Sequence, residues 1–172
     1  MEITNITVME EVNHVLTEFH DLTSSFTSEE INIVPYTGSW TAGQLGKHVV
    51  MSNSGFVEML DGPTTETKRE PDKLVGKIKE DFLNFNIRME APDSVRPAII
   101  EYKKEDLLNE LEKIKSMIKK EVVTLDLTKT CVSFELPVYG FLTRLEAVFF
   151  VIYHTQRHVH QLKKIRQAVV SS

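Results

Sequence analysis

The sequence predicts an all-α fold, and three observations point to it. Glycine and proline are scarce, at 7 and 6 of 172 residues. Apolar residues recur at spacings of three and four along several long stretches, as on one face of an α-helix. Two capping boxes, Thr41 with Gln44 and Thr143 with Glu146, mark helix starts. The length suits one hydrophobic core, so we expect a single domain over residues 1–172.

The first two helices are predicted from their apolar positions. Helix one carries one buried stripe, made of Val8, Val12, Val15, Leu16, Phe19, Thr23 and Phe26. A loop over residues 32–39 follows, because Pro35 and Gly38 disfavour helix there. Helix two begins after Thr41 and runs to about Leu60. At about 100° per residue, its predicted inner face gathers Leu45, His48, Ser52, Gly55, Phe56 and Met59.

The rest of the chain is predicted to hold three further helices. Residues 64–72 are charged and read as an exposed loop before a short helix that carries Leu74, Ile78, Phe82 and Phe85. A long helix runs from Lys103 to Val123, and residues 124–140 form a long loop with a short extended piece. The final helix runs from Arg144 to about Val169. Its predicted inner face includes Phe150, His154, His158, Gln161 and Leu162, with His160 turned to solvent.

Composition excludes several classes of protein. A formal charge of −5, with acids and bases interspersed, gives no positive field for nucleic acid. The chain has one cysteine, no run of about 20 apolar residues, and no basic-then-apolar N-terminus. We therefore expect a soluble cytoplasmic protein that contacts neither nucleic acid nor a membrane.

A candidate metal site is the most informative feature of the sequence. His154 and His158 lie four residues apart on the final helix, which places their Cβ atoms about 5–6 Å apart on one face. His48 faces inward on helix two. Three neutral imidazoles and one open position are typical of a catalytic metal site. The alternative is that the pair is an ordinary feature of a helix face with no ligand role.

The imidazole ligands limit which metal ions the site can bind and which reactions it can support. Imidazole suits zinc, nickel, copper or iron, and the sequence offers no set of oxygen ligands typical of calcium or magnesium. Such a site can activate water or a thiol as a nucleophile. The sequence reads His-Thr-Gln-Arg-His, without the glutamate base of the His-Glu-x-x-His zinc proteases. Glu58 and Glu146 are predicted to project to the side of the inner faces, so no carboxylate base is evident.

Three other residues are candidates for supporting roles. Gln161, one turn beyond His158, could orient water or a ligand, or could simply be satisfied inside the bundle. Arg157 could bind an anionic substrate, or could be a solvated charge at the helix edge. Cys131 could act as a nucleophile, although a lone cysteine is more often a small buried apolar residue.

The stretches around the three histidines resemble the DinB/YfiT-like family of metal-dependent enzymes. The matching motifs are Trp40-Thr41-x-x-Gln44-Leu45-Gly46-x-His48, Gly140-Phe141-Leu142-Thr143-x-x-Glu146, and His154-Thr155-x-Arg157-His158-x-x-Gln161-Leu162. The resemblance implies a four-helix bundle with up-down-down-up connectivity, with the short helix as an addition in the connection between the second and third long helices. It also implies a divalent metal, zinc or nickel, held by His48, His154 and His158.

The resemblance leaves the reaction open. Some relatives are similar to thiol transferases or isomerases that use bacillithiol or mycothiol, and others are described as hydrolases. We expect a metal-dependent enzyme acting on a small molecule, with a slight preference for thiol-dependent transfer because no general base is evident. The alternative is a non-enzymatic bundle, with a structural metal or none, that serves as an interaction module. Helical bundles with apolar edges often pair symmetrically, so we also expect a homodimer.

Overall fold

The protein is mostly helical, with five α-helices and a two-stranded sheet in the part that the computed structural model describes, residues 5–170. The helices are α1 (Asn5–Ser24), α2 (Ala42–Asp61), α3 (Val75–Leu83), α4 (Lys104–Thr124) and α5 (Arg144–Val170). The strands are β1 (Thr64–Thr65) and β2 (Thr130–Cys131), which pair antiparallel. Short 3-10 turns occupy Glu30–Asn32 and Asp93–Val95. The ends of the expected domain, residues 1–4 and 171–172, lie outside the described residues.

The four long helices form the core. α1 packs against α4 and α5, and α2 packs against the same two helices, while α3 packs against α5. The stripe predicted for helix one is confirmed, because all seven of its members are buried. The up-down-down-up order of the long helices stays a prediction. Among residues 5–170, no helix has both the length and the apolar character needed to cross a membrane.

Capping boxes start the two helices that carry the histidines, as the sequence predicts. Thr41 Oγ1 accepts from the Gln44 backbone at 3.1 Å, and Gln44 Oε1 accepts from the Thr41 backbone at 3.0 Å. The Thr143 backbone donates to Glu146 Oε2 at 2.9 Å, and the Glu146 backbone donates to Thr143 Oγ1 at 3.1 Å. Each reciprocal pair satisfies backbone N–H groups at a helix start, which fixes where α2 and α5 begin.

Two glycines let α2 approach α4 closely. A Cβ atom at Gly46 would lie 2.7 Å from Leu107 Cδ2, and one at Gly43 would lie 3.0 Å from Tyr102 Cβ. Both distances are shorter than normal contacts between carbon atoms. Because neither glycine has a side chain, α2 can lie close to Tyr102, just before α4, and to Leu107 in the first turn of α4. The second of these contacts is at Gly46, two residues before His48.

A buried ion pair ties the loop after α2 to the start of α5. Arg69 Nη1 and Nη2 lie 2.5 and 2.6 Å from the two carboxylate oxygens of Glu146, whose side chain is fully buried. The backbone of Leu74 also donates to this carboxylate, at 2.8 Å. The sequence predicts that Glu146 projects to the side of the inner face, and the structure shows that this side is buried as well: Arg69 and the backbone N–H groups of Leu74 and Thr143 satisfy the carboxylate there.

The loop before α5 carries most of the extended structure. β2 pairs with β1, and an isolated bridge joins Leu136 to Gly140. The tight turn between Leu136 and Gly140 places Val138 at φ 75°, and 82% of this residue is exposed. A β-branched residue rarely adopts this left-handed conformation, so the turn holds local backbone strain.

Candidate metal centre

Three imidazoles from two helices converge inside the bundle. His48 lies on α2, and His154 and His158 lie on α5. Their Nε2 atoms are separated by 3.3 Å between His48 and His154, 3.1 Å between His48 and His158, and 3.0 Å between His154 and His158. The residues are 3, 8 and 8% exposed. The structure thus brings together the three histidines that the sequence singled out.

Hydrogen bonds at the opposite ring nitrogens determine which nitrogen is free. His48 Nδ1 lies 2.8 Å from the carbonyl oxygen of Val95, and His158 Nδ1 lies 3.1 Å from Gln161 Oε1. Both oxygens only accept, so each Nδ1 must carry the proton and donate. In a neutral ring the other nitrogen, Nε2, then holds a lone pair. The lone pairs of His48 and His158 therefore point at one another across 3.1 Å.

This donor arrangement fits a divalent metal ion. Two facing lone pairs repel each other unless a cation or proton lies between them. Tetrahedral coordination with metal–nitrogen bonds of about 2.0–2.1 Å places ligand nitrogens about 3.3–3.4 Å apart, close to the spacing seen here. The third ring is consistent with this role, because His154 Nδ1 is buried without a hydrogen-bond partner, which leaves Nε2 as its only polar contact. The three residues also form the potential metal-ligand cluster of the described chain.

Burial keeps the three rings neutral. Desolvation lowers the pKa of His48, although the hydrogen bond to Val95 opposes this shift. Desolvation lowers the pKa of His154 well below its usual value, and lowers that of His158 to about 3. Nearby positive charge, from the other rings and from Arg157, acts in the same direction on His154. At neutral pH the three rings are therefore neutral, and in His48 and His158, whose Nδ1 protons are held by Val95 and Gln161, Nε2 is free to bind a metal.

Aromatic side chains surround the cluster. Trp40 lies 5.2 Å from His48 between ring centroids, and Phe82 and Phe150 lie 5.5 and 5.9 Å from His154. Within residues 5–170, the polar partners of the three imidazoles are Val95, Gln161 and one another, and no carboxylate takes part. The site therefore has apolar walls, and among the described residues no carboxylate is hydrogen-bonded to its histidines.

The structure gives two supporting candidates definite partners. Gln161 accepts from His158, so it orients a histidine of the cluster, as one of its two predicted roles requires. Arg157 is half-buried, and its guanidinium is hydrogen-bonded to the backbone of another part of the chain. Its guanidinium donates to the carbonyl oxygens of Phe82, Asn84 and Ile87, in the segment that ends α3. Cys131 is fully buried, which confirms its interpretation as a small apolar residue.

Some predicted positions on the helix faces are wrong. Ser52 is half-buried and Gly55 is exposed, whereas Asn53 is almost completely buried. The buried stripe of α2 is thus rotated by about one residue, and His48 lies at its edge. Phe85 lies beyond the end of α3 and is 44% exposed. It stacks on His160, with ring centroids 4.1 Å apart, so His160 lies outside the metal cluster, as predicted, but is half-buried by this contact.

No sequence pattern indicates the role of Val95. Its contribution is a backbone carbonyl in a 3-10 turn, which any residue could supply. The sequence indicates only that the backbone around Val95 is restricted, because Pro92 and Pro97 each favour extended backbone in the residue before them.

Comparison with known proteins places the chain in a family. The sequence pattern described as the DinB superfamily matches residues 11–162. The fold is similar to the solved structure of YfiT from Bacillus subtilis, described as a probable metal-dependent hydrolase with an unusual four-helix bundle topology. That match has a TM-score of 0.60 and 15% sequence identity, and it covers 96% of this chain and 89% of the other. No curated protein matches the chain by sequence. Since the family pattern spans most of its length, this chain belongs to the DinB superfamily.

Proposed function

We propose that this protein is a metal-dependent enzyme in which His48, His154 and His158 bind one divalent ion, zinc or nickel. The observation that carries the proposal is the convergence of three Nε2 atoms within 3.3 Å, with the Nδ1 protons of His48 and His158 held by Val95 and Gln161. Three protein ligands leave a tetrahedral ion one position for a ligand from solution, as in catalytic sites.

The residues around the three histidines orient the rings and limit water at the site. A divalent ion at three histidines supplies Lewis acidity, which lowers the pKa of a water or thiol ligand toward neutrality. Val95 and Gln161 hold two of the rings in the tautomer that presents Nε2. Trp40, Phe82 and Phe150 form apolar walls that limit the water around the cluster. A low local dielectric strengthens the electrostatic interactions of any ion held there.

We propose a low-molecular-weight thiol, such as bacillithiol, as the nucleophile, transferred to a small electrophilic molecule. The lack of a carboxylate partner for the histidines supports this choice, because a thiol activated by a metal needs no separate general base. Hydrolysis by activated water is the second candidate. The similarity to YfiT, described as a probable metal-dependent hydrolase, favours it.

We also propose that residues 1–172 form a single domain and that the protein is located in the cytoplasm.

Metal analysis of untagged protein tests the metal site. We expect about one zinc or nickel ion per chain in the wild type, and less than about 0.2 in His48→Ala and His158→Ala. His14→Ala is the matched control, because His14 is exposed on α1. A wild-type protein that stays below about 0.2 ions per chain after saturation contradicts the proposal and favours a non-enzymatic interaction module.

An activity comparison distinguishes the two nucleophiles. The metal-loaded protein is incubated with an electrophile panel in the presence of bacillithiol, mycothiol or buffer alone, and separately with a panel of esters and amides. Faster conjugation with a thiol supports transfer. Metal-dependent cleavage of an ester or amide, without faster conjugation, replaces transfer with hydrolysis. The His158→Ala protein serves as the baseline in both panels.

We propose a homodimer as the form in solution. Phe134, Val138 and Phe141 expose 53, 82 and 44% of their surface in the loop before α5, and they could supply apolar area for self-association. Light scattering at micromolar concentration tests this, with twice the chain mass of 19.7 kDa expected. A mass equal to that of one chain contradicts the dimer.

A further inference from the structure

Arg157 makes three hydrogen bonds to the last turn of α3 and the segment that follows it. Its Nη1 donates to the carbonyl oxygens of Phe82 at 3.1 Å and Asn84 at 3.0 Å, and its Nη2 donates to the carbonyl oxygen of Ile87. These acceptors lie 70 to 75 residues away in the sequence. A guanidinium presents five N–H donors in a rigid fork, whereas an ammonium presents three from one point. The contact therefore depends on arginine and not on positive charge alone.

The end of α3 needs such a partner. The helix ends at Leu83, and the following residue, Asn84, has φ −78° and ψ 89°, which is neither helical nor the left-handed conformation typical of a C-terminal cap. The last carbonyls of a helix lack partners within the helix. The guanidinium satisfies one of them at Phe82, and its charge is favourable at the negative end of the helix dipole.

The anchored segment includes one wall of the metal centre. Phe82 is 6% exposed, and its ring meets His154 edge-on, with centroids 5.5 Å apart and an angle of 85°. Phe82 also packs against Phe150 at 4.7 Å. His154 Nδ1 is buried and has no hydrogen-bond partner, and Phe82 is one of the apolar side chains packed against this imidazole. Releasing the segment would let water reach His154.

From these contacts we infer that Arg157 is a positioning residue, which fixes the end of α3 against α5 so that Phe82 limits access to the metal centre. The inference rests on the proposed function, because it assigns Arg157 a role toward a bound ion. Arg157 contacts neither the ion position nor a substrate in this assignment. It acts through the backbone of Phe82, Asn84 and Ile87.

Metal exchange and hydrogen exchange together test this role. Zinc-loaded wild type, Arg157→Met and Arg157→Lys are mixed with a chromophoric chelator, and amide exchange over residues 82–90 is followed in the same proteins. We expect both variants to release zinc about tenfold faster than the wild type. Both should also show faster amide exchange over this segment. Lys should not rescue either measurement, because it cannot bridge three carbonyl oxygens.

A matched control separates positioning from general stability. Ile118→Ala truncates a fully buried side chain of α4, so it destabilises the fold without touching the segment after α3. Its zinc release should match the wild type under conditions in which it stays folded. Equal release from all proteins, or equally fast release from Ile118→Ala and Arg157→Met, overturns the inference. A wild type that binds no zinc overturns the proposed function instead, and unchanged amide exchange in Arg157→Met then also rejects the anchoring of the segment.

Discussion

His48 Nδ1 donates to the carbonyl oxygen of Val95 at 2.8 Å, and this hydrogen bond couples a histidine of α2 to the loop between α3 and α4. The carbonyl can only accept, so the proton must stay on Nδ1 and the lone pair on Nε2. The same logic applies to His158 through Gln161. Outer partners of this kind commonly orient metal-binding histidines and fix their tautomers.

Replacing Gln161 should weaken metal binding. Gln161→Leu removes the acceptor for His158 Nδ1, so the ring loses the constraint on its tautomer and its orientation. We expect metal affinity to fall by about 10–100-fold, as for other outer partners of ligands. Competition titration measures this change, and nitrogen NMR of the metal-free protein should show protonated Nδ1 and free Nε2 in the wild type. Gln167→Leu, exposed on the same helix, should bind metal normally. Equal affinity in the two variants would reject the orienting role.

The metal-free protein should lose stability as the pH falls below about 6.5. The pKa of His158 is about 3 in the folded protein and about 6.5 when unfolded, so the unfolded state binds more protons between these values. Acidification then favours unfolding, by up to about 1.4 kcal/mol per pH unit for each such histidine. Urea unfolding in a chelator between pH 7 and 5 measures the slope. A stability that is constant over this range would show that the rings titrate normally.

Replacing His154 by leucine should stabilise the metal-free protein. The substitution removes a buried Nδ1 without a partner, which costs about 1–3 kcal/mol when left unsatisfied. We expect a gain of about 1 kcal/mol at pH 7, a shallower pH dependence, and loss of metal binding. His14→Gln should change none of these, because His14 is exposed. A less stable His154→Leu protein would mean that the ring is better accommodated than its contacts indicate.

Two glycines of α2 should respond in opposite directions to alanine. At Gly46 a Cβ would lie 2.7 Å from Leu107 Cδ2, so overpacking outweighs the better helix propensity and costs about 1–2 kcal/mol. At Gly55 no atom lies within 4 Å, and alanine should gain about 0.5–1 kcal/mol. Urea unfolding of both variants measures the difference. Equal effects would show that α4 moves aside at little cost.

Removing one partner of the Arg69–Glu146 pair should be costly. Arg69→Met leaves the Glu146 carboxylate buried with only backbone donors, and we expect a loss of about 2–4 kcal/mol. Adding Glu146→Gln should recover part of that loss, because the buried charge is gone. Lys77→Met is the control, since the Lys77–Asp81 pair is partly exposed and such pairs contribute about 0.3–0.5 kcal/mol. Similar losses in the two single variants would contradict this assignment.

Glycine at position 138 should stabilise the protein. Val138 has φ 75° in an exposed turn, so Val138→Gly relieves backbone strain and loses little buried area. We expect a gain of about 1 kcal/mol in thermal or urea unfolding. Val123→Gly, at an exposed helical position of α4, should instead lose stability. A loss in both variants would show that the turn is not strained.

The sequence predicted the features that are encoded locally. The starts of α2 and α5 follow from capping boxes, and the buried stripe of α1 follows from helical periodicity. The three histidines could be grouped because two share a helix face and the third lies near the inner face of another helix. The predicted centre of the buried stripe of α2 differs from the observed one, because helical periodicity only indicates roughly which side of a helix faces the core. Packing against α4 and α5 determines which residues are buried: Leu45, Val49, Asn53, Phe56 and Leu60.

The polar partners could not be predicted, because they depend on the paths of loops. Arg157 reaches carbonyls about 70 residues away, and Arg69 reaches Glu146 across 77 residues. Val95 contributes only backbone. None of these pairings leaves a periodic pattern, and each requires the tertiary fold to be known first.

The sequence distance between the ligands has a consequence for folding. His48 and His154 are 106 residues apart, so no fragment of the chain contains the complete cluster without most of the bundle. Of the three cluster ligands, only His154 and His158 are near each other in an unfolded or half-formed chain, and His48 joins them when α2 packs against α5. An ion that prefers the complete cluster stabilises the finished protein by mass action. A bound ion would thus stabilise the protein only after the helices have packed. It would slow unfolding and would not start folding.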